Sequence, residues 1–136
     1  MAVASRTFPG RFESLEKISR FVKDAAKKAG LGEEAVYGVE LAVDEACSNI
    51  IEHSYQGEDL GEIECTCEAS SRGLTIIITD YGHPFNPSQV PKPDISSPLE
   101  ERRKGGLGLF FIDKMMDEAR YEFAPGENRL ILFKHK

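Results

Sequence analysis

The sequence predicts an α+β fold: a two-layer sandwich in which a mixed, mainly antiparallel sheet carries its helices on one face. Three observations lead there. Apolar residues recur at spacings of three and four over two long stretches in the first half of the chain, the period of helices with one buried side. Alternating or β-branched segments come in neighbouring pairs joined by short turns, as antiparallel strands do. The element order of strand, two helices, two strands, loop, helix and terminal hairpin is then best satisfied by grouping the helices on a single face. At 136 residues the chain is expected to form one domain over residues 1–136, since roughly 100 to 200 residues is the usual span of one.

Taken in order, residues Val3 to Phe8 read as a short extended start. From Phe12 to Ala29, Leu15, Ile18, Val22, Ala25 and Ala29 line one side of a first helix, which Gly30 ends. A second and longest helix is expected from Glu33 to Tyr55, where Val36, Val39, Val43, Ala46 or Cys47, and Ile50 repeat the spacing. Residues 62–69 (EIECTCEA) alternate and 74–80 (LTIIITD) are β-branched, so two strands should be joined at Ser70 to Gly73. From Gly82 to Lys104 the pattern stops, and five of the seven prolines fall there. A loop of that length reads as a lid or binding loop, the bland alternative being a segment without fixed structure. Leu109, Ile112, Met115 and Met116 suggest a short third helix, and Ala119 to Ala124 and Arg129 to Lys134 a hairpin turning at Pro125-Gly126-Glu127-Asn128.

Composition narrows the function. Hydrophobic residues at 40% and charged residues at 29% suit a globular domain with a sizeable core. A net charge of -6 disfavours general binding to nucleic acid or to an anionic membrane, although a local basic patch can still hold a phosphate. No aliphatic and aromatic run is longer than the four residues of Leu109 to Ile112, far short of the ~20 apolar residues that span a bilayer. With no charged-then-apolar pattern at the N-terminus, the expected compartment is the cytoplasm. Cys47, Cys65 and Cys67 form no CxxC pair and are expected as buried thiols.

Three separated pieces carry chemistry. Glu45 and Asn49 stand one turn apart on the long helix, with Glu52 and His53 a turn further on. Asp80-x-Gly82 ends a strand, and Gly105-Gly106-Leu107-Gly108 opens a helix. Alone, the first pair is most often a solvated helix face, the second a turn, and the third a helix entry. Exposed N–H groups at a helix start do bind anions, and glycine lets a phosphate approach closely. The Gly-Lys-Ser/Thr ending of a P-loop is absent.

In this order, with a lid between the second and third pieces, the motifs resemble the histidine-kinase-like ATPase superfamily (GHKL), which has the Bergerat ATP-binding fold. VELAVDEACSNIIEHSY (Val39 to Tyr55) is similar to its N box, ITDYGHPFNP (Ile78 to Pro87) to its first glycine box, and GGLGLFFIDKMMDE (Gly105 to Glu118) to its second. The shortness of the chain, its opening with an arginine and phenylalanine ahead of the first helix, and Leu41 to Asn49 resemble the branch of bacterial anti-sigma-factor serine/threonine kinases.

The resemblance implies an ATP-dependent serine/threonine protein kinase that uses Mg²⁺. It would phosphorylate an anti-anti-sigma (STAS-domain) protein, sequester a sigma factor and form a homodimer. It implies that Glu45 is the general base, Asn49 a Mg²⁺ ligand, and Asp80 the acceptor for the adenine amino group, with Gly82 leaving room for the base. The lid would span about residues 83–104, and Gly105, Gly106, Leu107 and Gly108 would wrap the phosphates. His53, Arg103 and Lys104 are candidates to touch the phosphates, or else ordinary surface charges. The alternative from another class is a non-catalytic ATP-binding regulatory module that holds a protein partner.

Overall fold

The computed structural model describes residues 2–84 and 112–136. Strands β1 (Ala2–Pro9), β2 (Glu62–Ala69), β3 (Gly73–Asp80), β4 (Glu118–Ala124) and β5 (Glu127–His135) form one sheet in the order β1-β2-β3-β5-β4. All four pairings are antiparallel, so the mixed component of the expected sheet does not occur among the described residues. The cause is the connectivity. β3 follows β2 through a tight reversal at residues 70–72, and β5 follows β4 through a two-residue turn, so each pair runs back on itself.

Helices α1 (Ser14–Lys28) and α2 (Glu33–Asn49) pack on each other, and α1 lies over β1, β2 and β3. Alternation along the strands sends Ile63, Cys65 and Cys67 of β2 and Leu74, Ile76 and Ile78 of β3 into one continuous core with Val22, Val39 and Val43 of the helices. α1 buries Ser14, Ile18, Val22 and Ala26, one residue per turn, and carries Lys27 and Lys28 in its last turn, where cations suit the helix dipole. The three cysteines are free and buried, as expected. No helix among the described residues is long and apolar enough to cross a membrane.

Two boundaries differ from expectation, and both shape the site. The second helix stays α-helical only to Asn49; Ile50–Ser54 is a π-helical turn, in which the Tyr55 N–H bonds back to the Ile50 carbonyl at 2.9 Å. Ile50, Ile51 and Ser54 of that turn are all buried. The hairpin turn is Pro125-Gly126 alone, with Gly126 at φ +73°, a left-handed conformation that glycine adopts without strain. Glu127 and Asn128 are therefore strand residues, and Asn128 stands directly opposite Asp80.

Candidate functional site

The π turn and the end of β3 are fastened together. The His83 N–H donates to the Ser54 carbonyl at 2.8 Å, and the Tyr81 N–H donates to the Tyr55 hydroxyl at 3.1 Å. That hydroxyl donates in turn to the Glu62 carbonyl, tying the first residue of β2 into the same junction. Gly82 lies flat against the turn. A Cβ at residue 82 would stand 2.6 Å from both the carbonyl carbon and oxygen of Ser54 and 3.0 Å from its Cβ. Backbone cannot yield there as a flexible side chain would. Gly82→Ala should force the π turn and strand end apart and destabilise the fold by about 1 to 3 kcal/mol, the usual cost of overpacking. Urea denaturation checks this, and a variant as stable as wild type would contradict it.

Asp80 is only 3% exposed. Its Oδ1 accepts from the Gly82 N–H at 3.0 Å and from Asn128 Nδ2 at 2.9 Å, and the same Asn128 nitrogen donates to the Gly82 carbonyl at 3.0 Å. Burial pushes the Asp80 carboxyl above its ordinary range, while these two donors and the Ser54 hydroxyl nearby favour the charged form. The Ser54 hydroxyl, fully buried, makes no hydrogen bond of ordinary geometry. A cleft opens beside Asp80. Ala46 and Ile50 wall it from the helical side, Ile78 and Leu130 from the sheet floor, and Tyr121 and Phe123 from β4, their rings stacked at 6.0 Å. The lining of the cleft, mostly apolar with one buried carboxylate at the end, has the chemistry that recognition of a flat, partly polar ring calls for.

α2 carries the other candidates, and Glu45 and Asn49 immediately precede the cleft residues Ala46 and Ile50 in the chain. Glu45 is half-buried. Desolvation first, then the charges of Asp44 and Glu52, raise its pKa, which brings a carboxylate closer to the strength a general base needs. Asn49 is 4% exposed, and its Nδ2 has no hydrogen-bond partner among the described residues. An unpaired buried amide is costly, so this side chain fits a ligand supplied from outside the chain. Turned end for end, the amide offers its carbonyl oxygen, a hard donor suited to Mg²⁺. Among the described residues no group of three or more His, Cys, Asp or Glu is placed to hold a metal. A Mg²⁺ ion at Asn49 would also take ligands from phosphates and water, as this ion commonly does.

The remaining candidates divide. His53 sits on the outer side of the π turn, its side chain 41% exposed and its Nε2 4.0 Å from the Glu52 carboxylate. Arg103, Lys104, Gly105, Gly106, Leu107 and Gly108 lie outside the described residues, as do residues 85–104 of the expected lid. Four contributors are not marked as such by the sequence, which places Asn128 in the turn, Ser54 in a regular helix, and Tyr121 and Phe123 on a plain strand. Only the alternation of Tyr121 and Phe123, two apart on one strand face, was a signal for their joint placement.

The fold and cleft define a class, and the comparisons agree with it. The family model described as the histidine kinase-like ATPase domain matches residues 8–134. The serine-protein kinases RsbW of Bacillus cereus (strain AH820) and Bacillus mycoides (strain KBAB4) are each 32% identical over 114 residues, covering 81% of this chain and 71% of theirs. Among solved structures, the RsbU and RsbW domains of Rv1364c from Mycobacterium tuberculosis superpose with a TM-score of 0.67 at 14% identity. That match covers 98% of this chain and 32% of the Mycobacterium chain, and it bears on the fold alone. A histidine kinase domain from Erythrobacter litoralis EL346 gives a TM-score of 0.53, also at 14% identity, over 93% of this chain and 61% of its own. The chain belongs to the histidine kinase-like ATPase domain family, on the branch of the RsbW-type serine-protein kinases.

Proposed function

We propose that this protein is an ATP-dependent serine/threonine protein kinase and anti-sigma factor. It transfers the γ-phosphate of ATP to a serine or threonine of an anti-anti-sigma (STAS-domain) protein, sequesters a sigma factor and works as a homodimer. The observation that carries the reading is the buried Asp80 carboxylate, held by Asn128 and Gly82 at the end of an apolar cleft walled on the helical side by Ala46 and Ile50, the residues that follow Glu45 and Asn49 in the chain. The names of the curated relatives support the reaction class.

The chemistry follows from where the groups stand. Asp80 accepts a hydrogen bond from the adenine 6-amino group, and a 6-oxo purine offers it no donor there, so ATP is preferred to GTP. Glu45 accepts the proton of the incoming hydroxyl as it attacks the γ-phosphate. Asn49 would hold Mg²⁺ through its side-chain carbonyl, and the ion would supply positive charge to the phosphates. Asp44, Glu45, Glu52 and Asp80 make the described part of the site acidic, so the triphosphate needs that cation to approach. Asn49→Ala should therefore lose the Mg²⁺ dependence of ATP binding, and with it phosphoryl transfer. Calorimetry with and without Mg²⁺ tests this, and a variant with undiminished Mg²⁺-dependent affinity would remove Asn49 from the role. The deciding experiment for the whole reading is incubation with radiolabelled ATP, Mg²⁺ and candidate STAS-domain proteins. Label on a serine or threonine is the expected result; ATP binding without transfer would instead identify a non-catalytic regulatory module.

A further inference from the structure

Asn128 lies outside the three sequence motifs, yet it is the side chain that organises Asp80. It is 5% exposed, sits directly across from Asp80 in the β3–β5 register and lines the cleft. The hairpin does not need it, because Pro125-Gly126 completes the turn two residues earlier. What it does instead is bridge two acceptors. Its Nδ2 donates to Asp80 Oδ1 at 2.9 Å and to the Gly82 carbonyl at 3.0 Å, so one amide group spends both protons on two neighbouring oxygens and ties them together. The Gly82 N–H also lands on Oδ1. Both donors converge on that one oxygen, which leaves Oδ2 as the acceptor for a base.

We infer that Asn128 is a positioning residue that sets purine selectivity: by fixing Asp80 Oδ1 against Gly82, it aims Oδ2 into the cleft as an acceptor for a 6-amino group. The inference rests on the adenine role of Asp80 proposed above. An amide donor cannot lose its proton, so it holds the carboxylate as a pure acceptor, and a protonated Asp80 would instead offer a donor to the 6-oxo group of guanine. Removing Asn128 frees the carboxylate to turn and to accept a proton. Discrimination then falls by a route that does not depend on the rest of the cleft.

The test compares three probes, ATP, GTP and purine riboside triphosphate, which lacks the 6-amino group, by calorimetric titration of wild type, Asn128→Leu and Asn128→Ala. Wild type should bind ATP about 10- to 100-fold more tightly than the deaminated analogue, the scale of a hydrogen bond to a charged group. In the Asn128 variants that ratio should shrink to a few-fold, with ATP weakened, the analogue little changed and GTP not weakened. A folded variant that keeps the wild-type ratio, or that loses all three nucleotides equally, would overturn the inference. A measurement on wild type alone guards against variants that fail to fold. The Asn128 side-chain amide protons should be protected from solvent exchange and should shift on adding ATP but not the analogue, and rapidly exchanging, unresponsive protons would overturn it too. Asp80→Asn separates the two levels: an unchanged ratio there sinks the adenine assignment itself, whereas a collapsed ratio there with an intact one in Asn128→Leu sinks only the role of Asn128.

Discussion

Glu45→Gln is expected to lower phosphoryl transfer about 10²- to 10⁴-fold, the usual contribution of a positioned base, while ATP affinity stays near that of wild type. The substitution preserves the size and the helical spacing to Asn49 and removes only the ability to take a proton. The environment of Glu45 makes it the stronger candidate of the adjacent acids. Its pKa is raised by burial and then by the neighbouring charges of Asp44 and Glu52, whereas Asp44 is raised by burial alone. A base must be ionised to act, so transfer in wild type should fall as pH drops through a value above the ordinary 4.5 of a glutamate. In Glu45→Gln that acid limb should disappear. Single-turnover phosphorylation across pH, with ATP affinity measured in parallel, checks both statements. A Glu45→Gln protein with wild-type transfer would leave the ATP site standing and remove its base.

How much of this was legible beforehand depends on which force dominates each residue. α1, α2, β2 and β3 follow their apolar periods because burial of one face governs them, and the buried sets Ile18, Val22 and Ala26, or Ile63, Cys65 and Cys67, are what those periods require. Asp80 was visible as a lone acid closing a β-branched strand. Its partner was not. Asn128 follows Pro-Gly-Glu, and asparagine favours turns through its own local hydrogen bonds, so local chemistry argued for a loop. A long-range pairing 48 residues away overrode that preference. The π turn was equally hidden, because Ile50 and Ile51 satisfy a helical apolar pattern whether the next hydrogen bond closes four residues back or five. Gly82 looked like a turn glycine. Its constraint comes from Ser54, a residue on another element, and no local pattern encodes a contact of that kind.

Asp80→Asn should weaken ATP binding about 10- to 100-fold, corresponding to roughly 1.5 to 3 kcal/mol for a lost hydrogen bond to a charged group. The same change should make the nucleotide-free protein more stable. Asp80 is a carboxylate taken out of water with two donors on one oxygen, and burial outweighs those donors in setting the direction of its shift. A carboxyl whose pKa is raised on folding binds its proton more tightly in the folded state. The stability it contributes is then full below its unfolded value near 3.8 and declines as pH rises toward the folded value. At neutral pH the folded protein carries that cost, and Asn removes it while its carbonyl can still accept from Asn128 and from the Gly82 N–H. Urea denaturation of the free protein should therefore show Asp80→Asn more stable than wild type at pH 7, with the gap closing as pH is lowered toward 4. Calorimetry should show the loss of ATP affinity at the same neutral pH. Such a pair of opposite effects marks a charge kept for binding at the expense of stability. A variant that is less stable at pH 7 and binds ATP normally would mean that Asp80 serves the sheet and not the nucleotide.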